Sequence, residues 1–182
     1  MFTSPFANTS QKTKKKLTFS LFYLLIVSMV TMRYFDTYLI NKITPNGIIS
    51  FEFSKTLERS QEILDSWSPL AKIFAGLSLG YDFFFLLIYT LFISLLIHKL
   101  NERLWIGKPF YRTGEILIWT MFIVVIFEAV ENVCLIKLLT GSSYQYWASV
   151  AYYFAAAKFL LISISVLYII SNFFIVLFKK RS

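Results

Sequence analysis

The chain of 182 residues contains one cysteine, Cys134, and one histidine, His98. A lone cysteine excludes an internal disulfide and any Cys-x-x-Cys redox pair. A lone histidine excludes a bis-histidine haem within one chain, and His98 would have to be the base of any Ser-His-Asp or Cys-His device. No Gly-x-x-x-x-Gly-Lys phosphate loop and no Gly-x-Ser-x-Gly elbow occurs, so nucleotide-driven work and that esterase design are not expected. No metal set, cofactor or catalytic residue is assigned. Charge is scarce as well, at 15% of residues.

What the sequence has instead is apolar bulk: 57% hydrophobic, 19% aromatic, with a mean hydropathy of +0.64. That balance excludes disorder and argues against a soluble domain. Crossing about 30 Å of hydrocarbon takes roughly 20 apolar residues, and four such runs are read at about 17–40, 72–97, 115–139 and 148–178. The expectation is an all-α, four-helix transmembrane bundle making one membrane domain over 1–182. Lys12, Lys14, Lys15 and Lys16 before the first run resemble the start of a secretory signal. No small-x-small cleavage pattern follows, so the run is read as a retained helix. Gly76 and Gly80 in the second run have Gly-x-x-x-Gly spacing, a candidate helix contact.

Basic residues cluster before the first run, in the 98–114 loop (Lys99, Arg103, Lys108, Arg112) and in the tail (Lys179, Lys180, Arg181). On the other side Lys42, Lys55, Arg59 and Lys72 are offset by Glu52, Glu58, Glu62 and Asp65. The positive-inside rule then places both termini in the cytoplasm. The net charge of +8 thus reports topology and contact with membrane lipids. Nucleic acid is not an expected partner, while a membrane-protein partner or a second copy stays open. Trp67, Tyr144, Tyr146 and Trp147 are expected at the outer interface, Trp105 and Tyr111 at the inner one.

In the outer segment 41–71, Pro45-Asn46-Gly47 reads as a turn and Ile48 to Phe53 as a short apolar piece. Ser54 is a candidate cap for an amphipathic helix from Lys55 to Trp67, with Leu57, Ile63, Leu64 and Trp67 on its apolar side. It would rest at the outer interface or lie over the bundle as a lid.

Four ionisable residues fall within the runs: Asp82, Glu128, Glu131 and Lys158, with Arg33 and Asp36 nearer the outer end of the first. Each costs roughly 2.5–3.5 kcal/mol at mid-bilayer, so they should face inward and compensate one another. At about 1.5 Å per residue all four lie roughly 12–17 Å below the outer boundary, in one layer. Glu128, Glu131, Asn132 and Leu135 share a helix face, as do Ala151, Ala155, Lys158 and Ser165. The simplest arrangement is Lys158 bridging Asp82 and one glutamate. Three carboxylates against one ammonium leave two negative charges to be met by protonation, a cation or water. By contrast His98 reads as interfacial, Cys134 as apolar filler and Lys137 as a snorkelling end residue.

The string Pro45-Asn46-Gly47-Ile48-Ile49-Ser50-Phe51-Glu52, the helix end Ile63-Leu64-Asp65-Ser66-Trp67, Ser78-Leu79-Gly80-Tyr81-Asp82, Glu131-Asn132 and Ala157-Lys158 together resemble a group of uncharacterised four-span bacterial integral membrane proteins. The resemblance covers most of 45–170. It implies a bacterial cytoplasmic (inner) membrane location and no activity, and it picks out Glu52, Asp82, Glu131, Asn132 and Lys158.

Three functions follow as alternatives. One is binding or transport of a proton, cation or amphiphilic ligand at Asp82, Glu128, Glu131, Asn132, Lys158 and Glu52. Another is a structural or accessory membrane subunit whose buried charges only fix helix packing. The last is a lipid-modifying enzyme with Glu128 or Glu131 as base, for which no nucleophile, metal cluster or phosphate site is evident. The balance leans away from an enzyme.

Overall fold

A computed structural model describes residues 3–179, and among these there are helices and no strands. The six helices are α1 (Gln11–Leu39), α2 (Ile48–Glu52), α3 (Leu57–Ser66), α4 (Pro69–Leu104), α5 (Tyr111–Leu139) and α6 (Gln145–Lys179). Lys180 and Arg181 of the basic tail lie outside the described residues.

Local chemistry sets where several helices begin. Ser10 accepts from the Thr13 amide and opens α1, so the lysines at 12–16 lie on the helix rather than in a loop. Ser68 accepts from the Ala71 amide, with Pro69 in the first turn of α4, where a missing N–H costs nothing. For α3 the cap is Thr56, which accepts from the Arg59 amide. The expected cap, Ser54, is instead bonded to Ser60 Oγ at 2.7 Å. Lys55, at φ 61°, turns the chain between the two residues and puts Thr56 at the helix start.

Three helices, α1, α4 and α6 up to Phe178, are long and apolar enough to cross a membrane, with mean hydropathies of 1.5, 2.1 and 2.5. The protein is a helical membrane protein. The 29-residue α5 packs between α4 and α6. Short connections at 105–110 and 140–144 make α4, α5 and α6 run in alternating directions. α1 lies at the edge against α4, burying only Lys14, Leu21, Ser28 and Leu39. Its outward face, with Phe19 75% and Val30 65% exposed, is apolar, as a surface turned to lipid must be.

One core cluster, at the end carrying α2 and α3, joins Leu39, Phe51, Ile63, Trp67, Leu135 and Ala148. Each large side chain buried there contributes about 1.5–3 kcal/mol. Trp67 is not the interfacial anchor its type suggested. It is 4% exposed, and its indole N–H donates to the Leu39 carbonyl at 3.0 Å. That carbonyl is among the last four of α1, which have no partner within the helix. Thr44 donates to it too, so the burial of Trp67 is fixed by the end of α1. Gly76 and Gly80 do not form a shared contact face within the chain: Gly76 meets Leu139 of α5, and Gly80 has open space around it.

Candidate functional site

The site is assembled by four helices. Asp82 and Tyr89 lie on α4, Glu128, Glu131 and Asn132 on α5, Lys158 on α6, and Glu52 at the end of α2. Ala151 and Ala155, both fully buried, keep the neighbouring helix face of α6 small where Lys158 must fold in.

Glu52 reaches this layer because of how α2 starts. Gly47 adopts φ 58°, ψ −130°, a conformation that favours glycine. A Cβ there would come within 2.4 Å of the Asp36 carboxylate. That close approach lets Asp36 accept from the Ile48 amide at 3.0 Å. An acid on α1 thus supplies the capping oxygen that Gly47 lacks and complements the helix N-terminus. The single turn that follows points Ile48, Phe51 and Glu52 inward, all buried.

At the centre, Lys158 Nζ lies 2.9 Å from Glu131 Oε2, 3.5 Å from Glu128 Oε1 and 3.5 Å from Glu52 Oε2. It donates to Glu131 Oε1 at 3.0 Å. Asn132 Nδ2 donates to Asp82 Oδ2 at 2.8 Å, and the Tyr89 hydroxyl donates to Glu128 Oε2. The structure therefore brings together Glu52, Asp82, Glu128, Glu131, Asn132 and Lys158, each no more than 6% exposed.

The bonding pattern differs from the simplest expectation in one respect. Lys158 pairs with Glu52, Glu128 and Glu131 rather than bridging to Asp82. Asp82 is held by the Asn132 amide one turn along from Glu128, while α2 adds a third carboxylate on the side of α5 and α6, which draws the ammonium there. Arg33 takes no part in these ion pairs, and Asp36 serves α2. Tyr89 was not singled out in the sequence. It stands seven residues from Asp82, on the same helix face, a spacing that points to it.

Four carboxylates now face one ammonium, an excess larger than the sequence suggested. All four are buried in one layer, Glu52, Glu128 and Glu131 around the Lys158 ammonium and Asp82 on the Asn132 amide. Burial raises Glu52 above its ordinary 4.5, with the Asp82 charge adding to the rise and Lys158 opposing it. In addition, Asn132 Oδ1 is a buried acceptor without a hydrogen-bond partner, while Glu52 Oε2 and Glu131 Oε2 meet only the one Lys158 ammonium, at 3.5 and 2.9 Å. The site is short of positive charge and of donors.

Among the described residues no three His, Cys, Asp or Glu side chains converge as a metal-holding set. Two cavities of about 190 and 420 Å³ open elsewhere. The smaller lies under α3 beside Ser60, Asp65 and Lys72; the larger is an apolar groove along Val125, Val133 and Val150. Neither is lined by the residues around Lys158; these are covered by α2, within the outer segment 46–67 expected as a lid.

His98, expected at the inner interface, is fully buried against Lys14 of α1, because the amino-terminal segment folds over it through Phe6. Lys14, at 1% exposure, is likewise no solvated flank residue. Cys134 is buried in the core cluster, as apolar filler would be. Comparison of the chain with protein-family models, with curated proteins and with solved structures finds no match.

Proposed function

We propose that this is a four-span protein of a bacterial cytoplasmic membrane, with both termini in the cytoplasm, that takes up a proton at a polar site in the outer half of the bilayer. The observation carrying this reading is the buried set of Glu52, Asp82, Glu128 and Glu131 around the single ammonium of Lys158. Several uncompensated charges cannot persist in a medium of low dielectric constant, so protons must occupy some of the carboxyls. A small cation would meet the same deficit, but the Lys158 ammonium already occupies the space between Glu52, Glu128 and Glu131, which favours a proton.

The test is reversible proton uptake by the purified protein, followed through the infrared carboxyl stretch as pH is varied. Lys158→Met and Asp82→Asn, each still inserted in the membrane, are expected to lose or displace that titration. A titration identical to the parent's in both variants sinks the reading.

The accessory-subunit reading draws on a different observation: the network ties α2, α4, α5 and α6 together and is shielded from solvent. If ordering the helices is its whole role, single neutralisation costs about 3–5 kcal/mol and a paired apolar replacement of Lys158 and Glu131 restores stability.

A further inference from the structure

A second buried polar group lies at the end of the bundle that carries the amino terminus. Lys14 Nζ is 2.7 Å from Glu102 Oε1 and 2.8 Å from His98 Nε2. Glu102, 24% exposed at its side chain, opens this group to the surface, and Gln11 donates to it at 3.3 Å. Across from it on α5 stands Glu115, buried and approached by Tyr111, Asn101 and the Ser4 backbone. Asn101 in turn accepts from Tyr168 of α6 at 3.2 Å. His98 Nδ1 is buried and has no hydrogen-bond partner.

Between this group and the Lys158 site, α4 buries Thr90 and Ser94 at 1% and 0% exposure, and neither hydroxyl has a partner. Other helix hydroxyls in the chain satisfy themselves on the preceding turn: Thr18 on Lys14, Thr120 on Ile116 and Ser165 on Leu161. Thr90 and Ser94 do not. A buried hydroxyl left unpaired costs about 1–3 kcal/mol, so two on successive turns call for an outside partner.

Their spacing identifies it. Ser78, Asp82, Leu86, Thr90, Ser94, His98 and Glu102 follow one another every four residues along α4. Each step rises about 6 Å, the length one water bridges with two hydrogen bonds of about 2.8–3.0 Å. Each step also turns about 40° around the helix, so the polar stretch runs from Glu102 to Thr90 and ends at Leu86, and beside Thr90 in the chain Tyr89 sends its hydroxyl to Glu128.

We propose that His98, Ser94 and Thr90, with a water at each step, form a proton relay along α4 between Glu102 and the Glu128/Lys158 site. This rests on the reading of that site as a proton acceptor and adds its route of supply. Glu102, a carboxylate paired with Lys14, first takes a proton from water at the surface; that O–H bond then breaks as an N–H bond forms at His98 Nε2, 3.3 Å away, and the Nδ1 proton passes to water. Each hydroxyl then takes one proton and releases its own, ending with an O–H bond on Glu128. No oxidant or reductant is involved.

The experiment uses the full chain in sealed vesicles with a trapped pH dye and a potassium–valinomycin potential, alongside the infrared titration of the site. Thr90→Val/Ser94→Ala is expected to slow proton movement by about tenfold or more, as removal of hydrogen-bonded steps requires, while the carboxyl titration persists. Thr90→Ser/Ser94→Thr, which keeps both hydroxyls, is expected to conduct like the parent. Parental rates in the Val/Ala protein, no proton movement in the parent, or failure of the Ser/Thr exchange to conduct each overturn the relay. Loss of the carboxyl titration in the parent itself overturns the underlying reading instead.

Discussion

Gly47 shows how a single position decides the reach of the site. Its φ of 58° lies where a β-carbon is strained, and the Asp36 carboxylate occupies the space that carbon would need. Gly47→Ala should therefore destabilise the protein by about 1–3 kcal/mol, the usual cost of a residue held in a sparsely populated region. Adding Asp36→Ala removes the clash but neither the backbone strain nor the loss of the Ile48 cap, so the double variant should stay destabilised. Thermal unfolding in detergent measures both. A melting temperature equal to the parent's in Gly47→Ala would mean the turn does not hold α2 in place. The turn itself was readable from Pro45-Asn46-Gly47, but its partner was not, because Asp36 belongs to another helix and reads in sequence as one more charge near a span end.

At the scale of elements, α2 is the part that sequence periodicity misses. Five residues cannot form a helix alone, given the cost of nucleation; α2 exists because Asp36 caps it and the core accepts Ile48 and Phe51. The long helices were legible, since their apolar runs stand out. So was the layer of charge, because ionisable residues within such runs are few. Lys14 and His98 were not: among Lys12, Lys15 and Lys16 one buried lysine looks like a solvated neighbour, and His98 sits where a span ends. The burial of Glu52 by α2 has a pH consequence. Since its folded pKa is raised above 4.5, the native state holds a proton that the unfolded chain gives up, and stability falls as pH rises from that value. Within that window each pH unit costs up to about 1.4 kcal/mol. Glu52→Gln should flatten this slope, matching the parent near pH 4 in relative stability and gaining on it toward pH 8. Denaturation across that range checks the sign; a parent that becomes more stable as pH rises, with no change in slope on substitution, would contradict it.

For the whole molecule the decisive element is α5, which carries Glu128, Glu131 and Asn132 and is not among the three most plainly apolar spans. Its polar side chains turn toward α4 and α6 while Ile116, Ile123 and Ile126 face outward, 57%, 47% and 61% exposed. A helix so arranged is sheltered by its neighbours and can lie in hydrocarbon without exposing charge. On the proposed four-span reading, α5, packed along α4 and α6, crosses with them, and residues 105–110 and 140–144 fall on opposite sides. Single cysteines introduced after replacing Cys134 by Ala test this directly, using an impermeant maleimide on intact cells. Ser143→Cys, at an exposed position beyond α5, should react from outside. Lys108→Cys and Ala7→Cys, also exposed, should react only after the membrane is opened, since the proposed orientation puts these basic flanks in the cytoplasm. If Ser143→Cys and Lys108→Cys react from the same side, α5 does not traverse the bilayer. The Lys158 layer would then lie at the membrane surface, where water rather than a relay could deliver its protons.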